Sequence, residues 1–207
     1  GFVADMAEPD GVDALVARLN EESIIASVLV NNAGVTVHGP FAETELALEL
    51  RLVRLQIDAM LTLTKSVLPA MIARGSGRVM NVGSIYGFAG APYQATYAAT
   101  KAFLLGFTRS LRVELEGSGV SVTLVSPGLT RSRFRSRSGL PDRESSFMMD
   151  PDVVARKACE AIFAGRRGNV PGLRNRLFLL ATKVFPERWF MGILSRVNAR
   201  RRLGAKS

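Results

Sequence analysis

Three side chains of this sequence could together form a proton-transfer site. Tyr97 and Lys101 stand four residues apart in TYAATKAFLLGF, and Ser84 lies thirteen positions before the tyrosine. Residues four apart on a helix share a face. Phe103, Leu104, Phe107, Leu111 and Leu115 recur at helical spacing behind the pair, so Lys101 is expected to project beside Tyr97. A free phenol titrates near pH ~10 and exchanges protons poorly at neutrality. A cation held beside it favours the phenolate and draws the group toward a working range. Ser84 ends the strand-like run RVMNVGS and could hydrogen-bond a carbonyl oxygen next to the phenol. Tyrosine–lysine pairs at this spacing are also common on plain helix surfaces, so the pair needs support from its surroundings.

That support must come from the elements that carry it. LVNNAG at 29–34, GRVMNVGSIY at 77–86 and VSPG at 125–128 each read as an apolar strand that stops at small or turn-forming residues. In open parallel sheets, ligands bind where strands end. Strands are expected at about 1–4, 26–31, 78–83 and 120–126, and helices at about 10–21, 43–73 and 96–117. This alternation, with short apolar strands, implies an α/β fold: a doubly wound parallel sheet covered on both faces. Asp150-Pro151 supplies an N-cap and a first-turn proline for a further helix to about residue 164. Residues 129–149, LTRSRFRSRSGLPDRESSFMM, are polar, arginine-rich and broken by Gly and Pro, which reads as a loop.

With these residues in place, the chain resembles the short-chain dehydrogenase/reductase family, single-domain type. NNAG at 31–34, Ser84, Tyr97, Lys101 and Pro127-Gly128 occur in the family's order and at about its spacings. The resemblance implies a Rossmann-like fold and an oxidoreductase using NAD or NADP to interconvert an alcohol and a carbonyl. It implies Tyr97 as general acid/base, Lys101 as the group that lowers its pKa and binds the nicotinamide ribose, and Ser84 as the residue that polarises the substrate oxygen. Asn32, Ala33 and Gly34 would line the adenosine side, with Asp5 meeting the adenine amino group. Pro127, Gly128 and Thr130 would border the nicotinamide. The loop at about 129–149 would close over the substrate as a lid, and family members pair through the helices at about 43–73 and 96–117, so a homo-oligomer is expected.

Two departures qualify the likeness. The glycine-rich phosphate loop that follows the family's first strand is absent, and GFVADM at the start looks like the third strand. Roughly 50 residues would be missing, more than one βαβ unit of about 30, together with the backbone N–H groups that cradle the pyrophosphate. The chain is therefore expected to be an N-terminally truncated fragment, inactive alone. Second, the family's active-site asparagine falls on Gln56, counting back from Leu68-Pro69. Glutamine carries the same amide on one more methylene; it could hold a proton-relaying water or be a plain helix residue. Two other readings stay open: a catalytically silent scaffold that acts by binding, or a relative performing epimerisation or dehydration on the same fold.

Composition bounds the rest. The 207 residues suit one domain, and 47% are hydrophobic, enough for a sizeable core. The single cysteine, Cys159, excludes an internal disulfide and is expected to be a buried small residue. The lone histidine, His38, makes no metal site, and none is expected. The net charge of +9 is unevenly placed: residues 1–128 carry 9 Lys/Arg and 12 Asp/Glu, residues 129–207 carry 18 and 6. No nucleic-acid motif accompanies this charge. Domain limits are drawn at 1–171 for the incomplete oxidoreductase domain and 172–207 for a basic tail. In the tail, Leu177, Leu180, Ala181, Val184 and Phe185, then Trp189, Phe190, Ile193, Leu194 and Val197, recur at helical spacing around Pro186. Such a pair packs on the enzyme or a second subunit, or lies on an anionic membrane. The setting expected is cytoplasmic, with peripheral membrane contact as the tail's alternative. An apolar or acyl-linked substrate, ketoacyl or steroid-like, suits the apolar side chains of lid and tail: Phe134, Leu140, Phe147, Met148 and Met149.

Overall fold

The computed structural model describes residues 1–138 and 147–203. Four strands form one all-parallel sheet in the order β1-β2-β3-β4, with β1 at Val28–Asn31, β2 at Gly77–Val82, β3 at Val120–Val125 and β4 at Gly168–Asn169. Val28 pairs with Arg78, Gly77 with Val120 and Leu124 with Gly168 at the starts of the three ladders. A parallel pair needs a crossover, and helices supply it: α1 at Pro9–Glu21 precedes β1, α2 and α3 at Leu46–Val53 and Ala59–Ala73 join β1 to β2, α4 at Ala95–Glu114 joins β2 to β3, and α5 and α6 at Phe134–Arg137 and Pro151–Phe163 precede β4.

Side-chain alternation along the strands explains the two layers. Val79 and Val122 face one way and form a core with Val67 and Met71 of α3 and Leu111 of α4. Met80 and Val125 face the other way, onto Ala158 and Ile162 of α6. Helices thus cover both faces, the doubly wound arrangement expected. Asn31 and Asn81 are register partners on β1 and β2. Asn31 Nδ2 donates to Asn81 Oδ1 at 2.8 Å and to Thr64 Oγ1 at 3.2 Å, and Asn81 Nδ2 donates to Thr108 Oγ1 at 2.8 Å. This satisfied polar chain ties the strand ends to α3 and α4.

Several boundaries differ from expectation. Residues 1–4 form no strand: a strand needs a ladder partner, and β1 pairs with β2 alone. The single long helix expected at 43–73 starts instead at Leu46 and contains a π-helical turn, Arg54–Asp58, between α2 and α3. β4 has only two residues, too few for a periodic signal. The Asp150 cap forms as expected, accepting from Asp152 N at 2.8 Å. Cys159 is exposed rather than buried, because α6 turns Ala158, Ala161 and Ile162 inward and leaves residue 159 on its outer side. In the 129–149 stretch, Thr130 bridges Met149 and α5 adds one short turn; Leu140 lies outside the described residues.

The basic tail forms α7 at Leu173–Val184 and α8 at Glu187–Leu203, with Pro186 between them. One side of the pair packs on the body. Phe178 stands edge-on to Tyr86 and to Phe190, with centroids at 6.3 and 5.1 Å. Leu194 and Asn198 are buried, and Asn198 Nδ2 donates to Pro92 O at 3.0 Å. Among the described residues no helix is long and apolar enough to cross a membrane, and no group of His, Cys, Asp and Glu could hold a metal ion.

Candidate active site

The carboxyl ends of β1, β2 and β3 converge on one corner of the sheet. Beyond β2, Gly83 N donates to Val125 O at 2.8 Å, which carries the pairing one residue past the strand. Ser84 is the cap of a 3-10 turn, Ile85–Gly87; its Oγ accepts from Tyr86 N at 3.2 Å. That turn lies flat on α4 because Gly87 has no side chain: a Cβ there would fall 2.5 Å from the Lys101 carbonyl oxygen. Ser84 and the first turns of α4 are thereby locked together.

Tyr97 sits in the opening turn of α4, with the Ser84 side chain near enough to bear on the titration of its phenol. Lys101, one turn on, is only 5% exposed. Its Nζ donates to Val82 O at 3.0 Å and stands 5.6 Å from the centre of the Tyr97 ring. The three residues expected to act together are brought together. The electrostatics differ from expectation in one respect. Burial pushes the Tyr97 phenol up to about 12, with Ser84 opposing it and Tyr86 adding to it. Burial lowers the Lys101 ammonium to about 8. Desolvation sets both shifts; the ammonium lies over the ring and spends a donor on a carbonyl.

Gln56 joins the same corner. It lies in the π turn, 2% exposed, donating from Nε2 to Val35 O at 2.6 Å and accepting at Oε1 from Thr100 Oγ1 at 3.3 Å. A π turn inserts one residue into a helix and is frequent at functional sites. A Cβ added at Gly34 would sit 3.6 Å from Gln56 Cδ and 3.8 Å from Lys101 Nζ, so the NNAG turn passes directly beside both.

The residues expected to hold a cofactor are spread around this corner. Asn32 and Ala33 are exposed at the end of β1 and line a cavity of about 360 Å³ with Phe2, Met6 and Leu55. Asp5 accepts from Ala7 N at 3.0 Å and pairs with Arg51 at 2.7 Å, so the protein itself engages its carboxylate. Pro127 O accepts from Ile85 N at 3.1 Å, and Thr130 Oγ1 donates to Gly128 O at 3.2 Å. Gly128 leaves space that Asn175 of α7 fills: a Cβ there would lie 2.1 Å from the Asn175 amide oxygen. A larger cavity, about 510 Å³, opens beside residues 86–92, Ala98 and Met191, and neither Ser84, Tyr97 nor Lys101 lines it.

Sequence patterns missed several contributors. Phe134 of α5, expected only as an apolar side chain of the lid, stands 5.8 Å, centre to centre, from the Tyr97 ring. Ser138 just beyond it accepts at Oγ from Thr36 N at 3.0 Å, and Gln94 Nε2 donates to Thr36 Oγ1 at 2.8 Å. His38 stacks on Tyr93, whose φ is +67°. Thr100 was also missed, although it stands three residues after Tyr97 on one helix, with its hydroxyl donating to the Tyr97 carbonyl oxygen at 2.8 Å.

Known proteins resemble this chain in sequence and in fold. In Drosophila melanogaster, the dehydrogenase/reductase SDR family protein 7-like is 30% identical over 166 residues, covering 76% of this chain and 51% of that protein. The ketoacyl reductase HetN of a Nostoc strain is 36% identical over 124 residues, covering 60% and 43%. The chain thus spans about half the length of these relatives. A short-chain dehydrogenase from Sphingobium yanoikuyae, solved in complex with NADPH, superposes with a TM-score of 0.77 at 31% identity, over 87% of this chain and 71% of that one. A family model described as short chain dehydrogenase matches residues 1–141, and on that match, together with the parallel sheet and its strand-end corner, the chain belongs to the short-chain dehydrogenase/reductase family.

Proposed function

We propose that this chain carries the reacting site of an NAD(P)-dependent oxidoreductase interconverting an alcohol and a carbonyl. The observation that carries the reading is the meeting of Ser84, Tyr97 and Lys101 at the strand ends, with Ser84 beside Tyr97 and the lysine buried beneath its ring. Bound in this corner, a nicotinamide would supply or accept the hydride. In the reducing direction Tyr97 gives its phenolic proton to the substrate oxygen, and in the oxidising direction it takes that proton back. Ser84 donates to the same oxygen as charge develops on it. Lys101, charged at neutral pH, stabilises the phenolate left behind. Both ends of the Gln56 amide are engaged within the protein, which supports a bracing role beside Lys101.

The residues present suit the nicotinamide half of such a cofactor. Gly34 keeps a side chain away from Lys101, while Pro127 and Thr130 edge the β3 end. Asn32 and Ala33 suit the adenosine side through the cavity they line. Among the described residues no glycine-rich turn is placed to hold the pyrophosphate. Either NAD or NADP fits these residues. Phe134 over Tyr97 favours an apolar substrate, and the ketoacyl reductase among the relatives points to acyl-linked carbonyls. Segment 129–138 acts as the lid, latched by Thr36 and Ser138. A homo-oligomer through α2–α4 is supported by the exposed Leu46, Leu50, Phe103 and Val113 on those helices. We place the enzyme in the cytoplasm.

The test is Tyr97→Phe in the full-length protein, with turnover of carbonyl substrates and NADPH affinity measured side by side. Turnover should fall by about 10²–10⁴-fold with cofactor affinity nearly unchanged. Retention of near wild-type turnover would remove Tyr97 from the mechanism.

A further inference from the structure

The inner sides of α7 and α8 are spent on the enzyme body, yet their outer sides are apolar. Leu173, Leu177, Leu180 and Val184 follow intervals of four, three and four, one face of α7, and each is more than half exposed. Trp189, Ile193 and Val197 are spaced by four on α8 and are exposed at 63, 61 and 42%. An apolar stripe on each of two successive helices exceeds what scattered surface leucines explain. Cations alternate with these side chains: Arg176 and Lys183 on α7, Arg188 and Arg196 on α8, all exposed. Among the described residues no ion pair neutralises any of them, and residues 172–207 hold 9 Lys/Arg against one acid, Glu187.

We infer that the outer sides of α7 and α8 dock on an anionic phospholipid bilayer. Charge selects the partner. A second copy of this chain would bring two basic faces together, whereas an anionic headgroup layer complements them. The intermixing of residue types selects a bilayer surface over a simple acidic partner. Helices lying at the headgroup boundary sink leucine, isoleucine and tryptophan side chains among the acyl chains. Arginine and lysine stems run along the same apolar surface and return their charges to the phosphates. Neither helix needs to unpack from the enzyme for this, because the contacts of Phe178, Leu194 and Asn198 lie on the opposite sides.

The 207 residues contain one tryptophan, Trp189, and the difference in emission between wild type and Trp189→Phe serves as the reporter. Full-length protein is mixed with phosphatidylserine/phosphatidylcholine vesicles and with pure phosphatidylcholine vesicles. Binding to the anionic vesicles should shift Trp189 emission to the blue and carry the protein into the pellet. Raising salt from 0.1 to 0.5 M should weaken binding several-fold through screening, while the blue shift of the fraction still bound persists. Leu177→Gln with Ile193→Gln, both exposed and so neutral for folding, should weaken binding at least tenfold. Lys183→Gln with Arg196→Gln should flatten the salt dependence. Equal pelleting with both vesicle types, an unshifted Trp189, or unchanged binding by the Leu177/Ile193 variant would overturn the proposal. So would a dimer in sedimentation that the same variant abolishes, or equal binding to polyglutamate without a shift.

Discussion

Lys101 buries an ammonium group beneath the Tyr97 ring, and its charge has a measurable consequence for stability. Its pKa falls from the ordinary 10.5 to about 8 on folding, because burial disfavours the charge. Below about pH 8 both states carry the proton, and the fold bears the whole desolvation penalty. Between about 8 and 10.5 the folded lysine releases its proton first, the unfolded chain binds more protons, and stability rises with pH by up to about 1.4 kcal/mol per unit. Tyr97 has the opposite sign: raised from 10.0 to about 12, it removes stability only as pH climbs through that higher range. The window from 8 to 10 therefore reports the lysine. In urea unfolding of the full-length protein, the stability gap between Lys101→Met and wild type should narrow between pH 7.5 and 9.5; a constant gap would show that the ammonium carries no burial penalty. At this scale the sequence was readable where chemistry is local. Ser84, Tyr97 and Lys101 are picked out by residue type and spacing, supported by the strand-end segments around them and by the family resemblance. Phe134 on Tyr97 and Thr36 on Ser138 are not, because each joins segments 37 and 102 residues apart with no periodicity to announce them.

The elements that hold these side chains were legible to the extent that they repeat. α4 announces itself by a helical stripe, and β2 and β3 by apolar runs. The two-residue β4 has no period to read, the π turn of 54–58 is hidden inside an uninterrupted helical pattern, and the strand expected at 1–4 fails for lack of a ladder partner. The contact between the 85–87 turn and α4 makes a further prediction. Gly87→Ala sets a methyl group against the Lys101 carbonyl oxygen, where a Cβ has 2.5 Å. Backbone on both sides must move, with an expected loss of about 1–3 kcal/mol. Because the same turn is capped by Ser84, the variant should also lose turnover in the full-length protein. Thermal unfolding and activity measured together check this; an unchanged melting temperature would mean that the turn and α4 are not in rigid contact.

Across the whole molecule, the tail is a working part of the fold. Asn198 is fully buried at the far end of α8, with its amide on Pro92 O and on the Tyr86 hydroxyl at 3.5 Å. Asn198→Ala should destabilise the protein by about 1–3 kcal/mol, since buried polar groups lose their partner; a denaturant midpoint equal to wild type would show the tail undocked in solution. The helices themselves could be read from the tail's sequence, but not which of their sides faces inward, because both sides are apolar. The sheet order holds one more consequence. Strand order in space equals strand order along the chain, so each new strand adds beside the one before it. Among these four strands, synthesis would deliver β2 beside β1, β3 beside β2 and β4 beside β3, with none of the four threaded between two others. Assembly can then keep pace with synthesis, and the last helices to emerge close onto the 84–92 turn that carries Ser84.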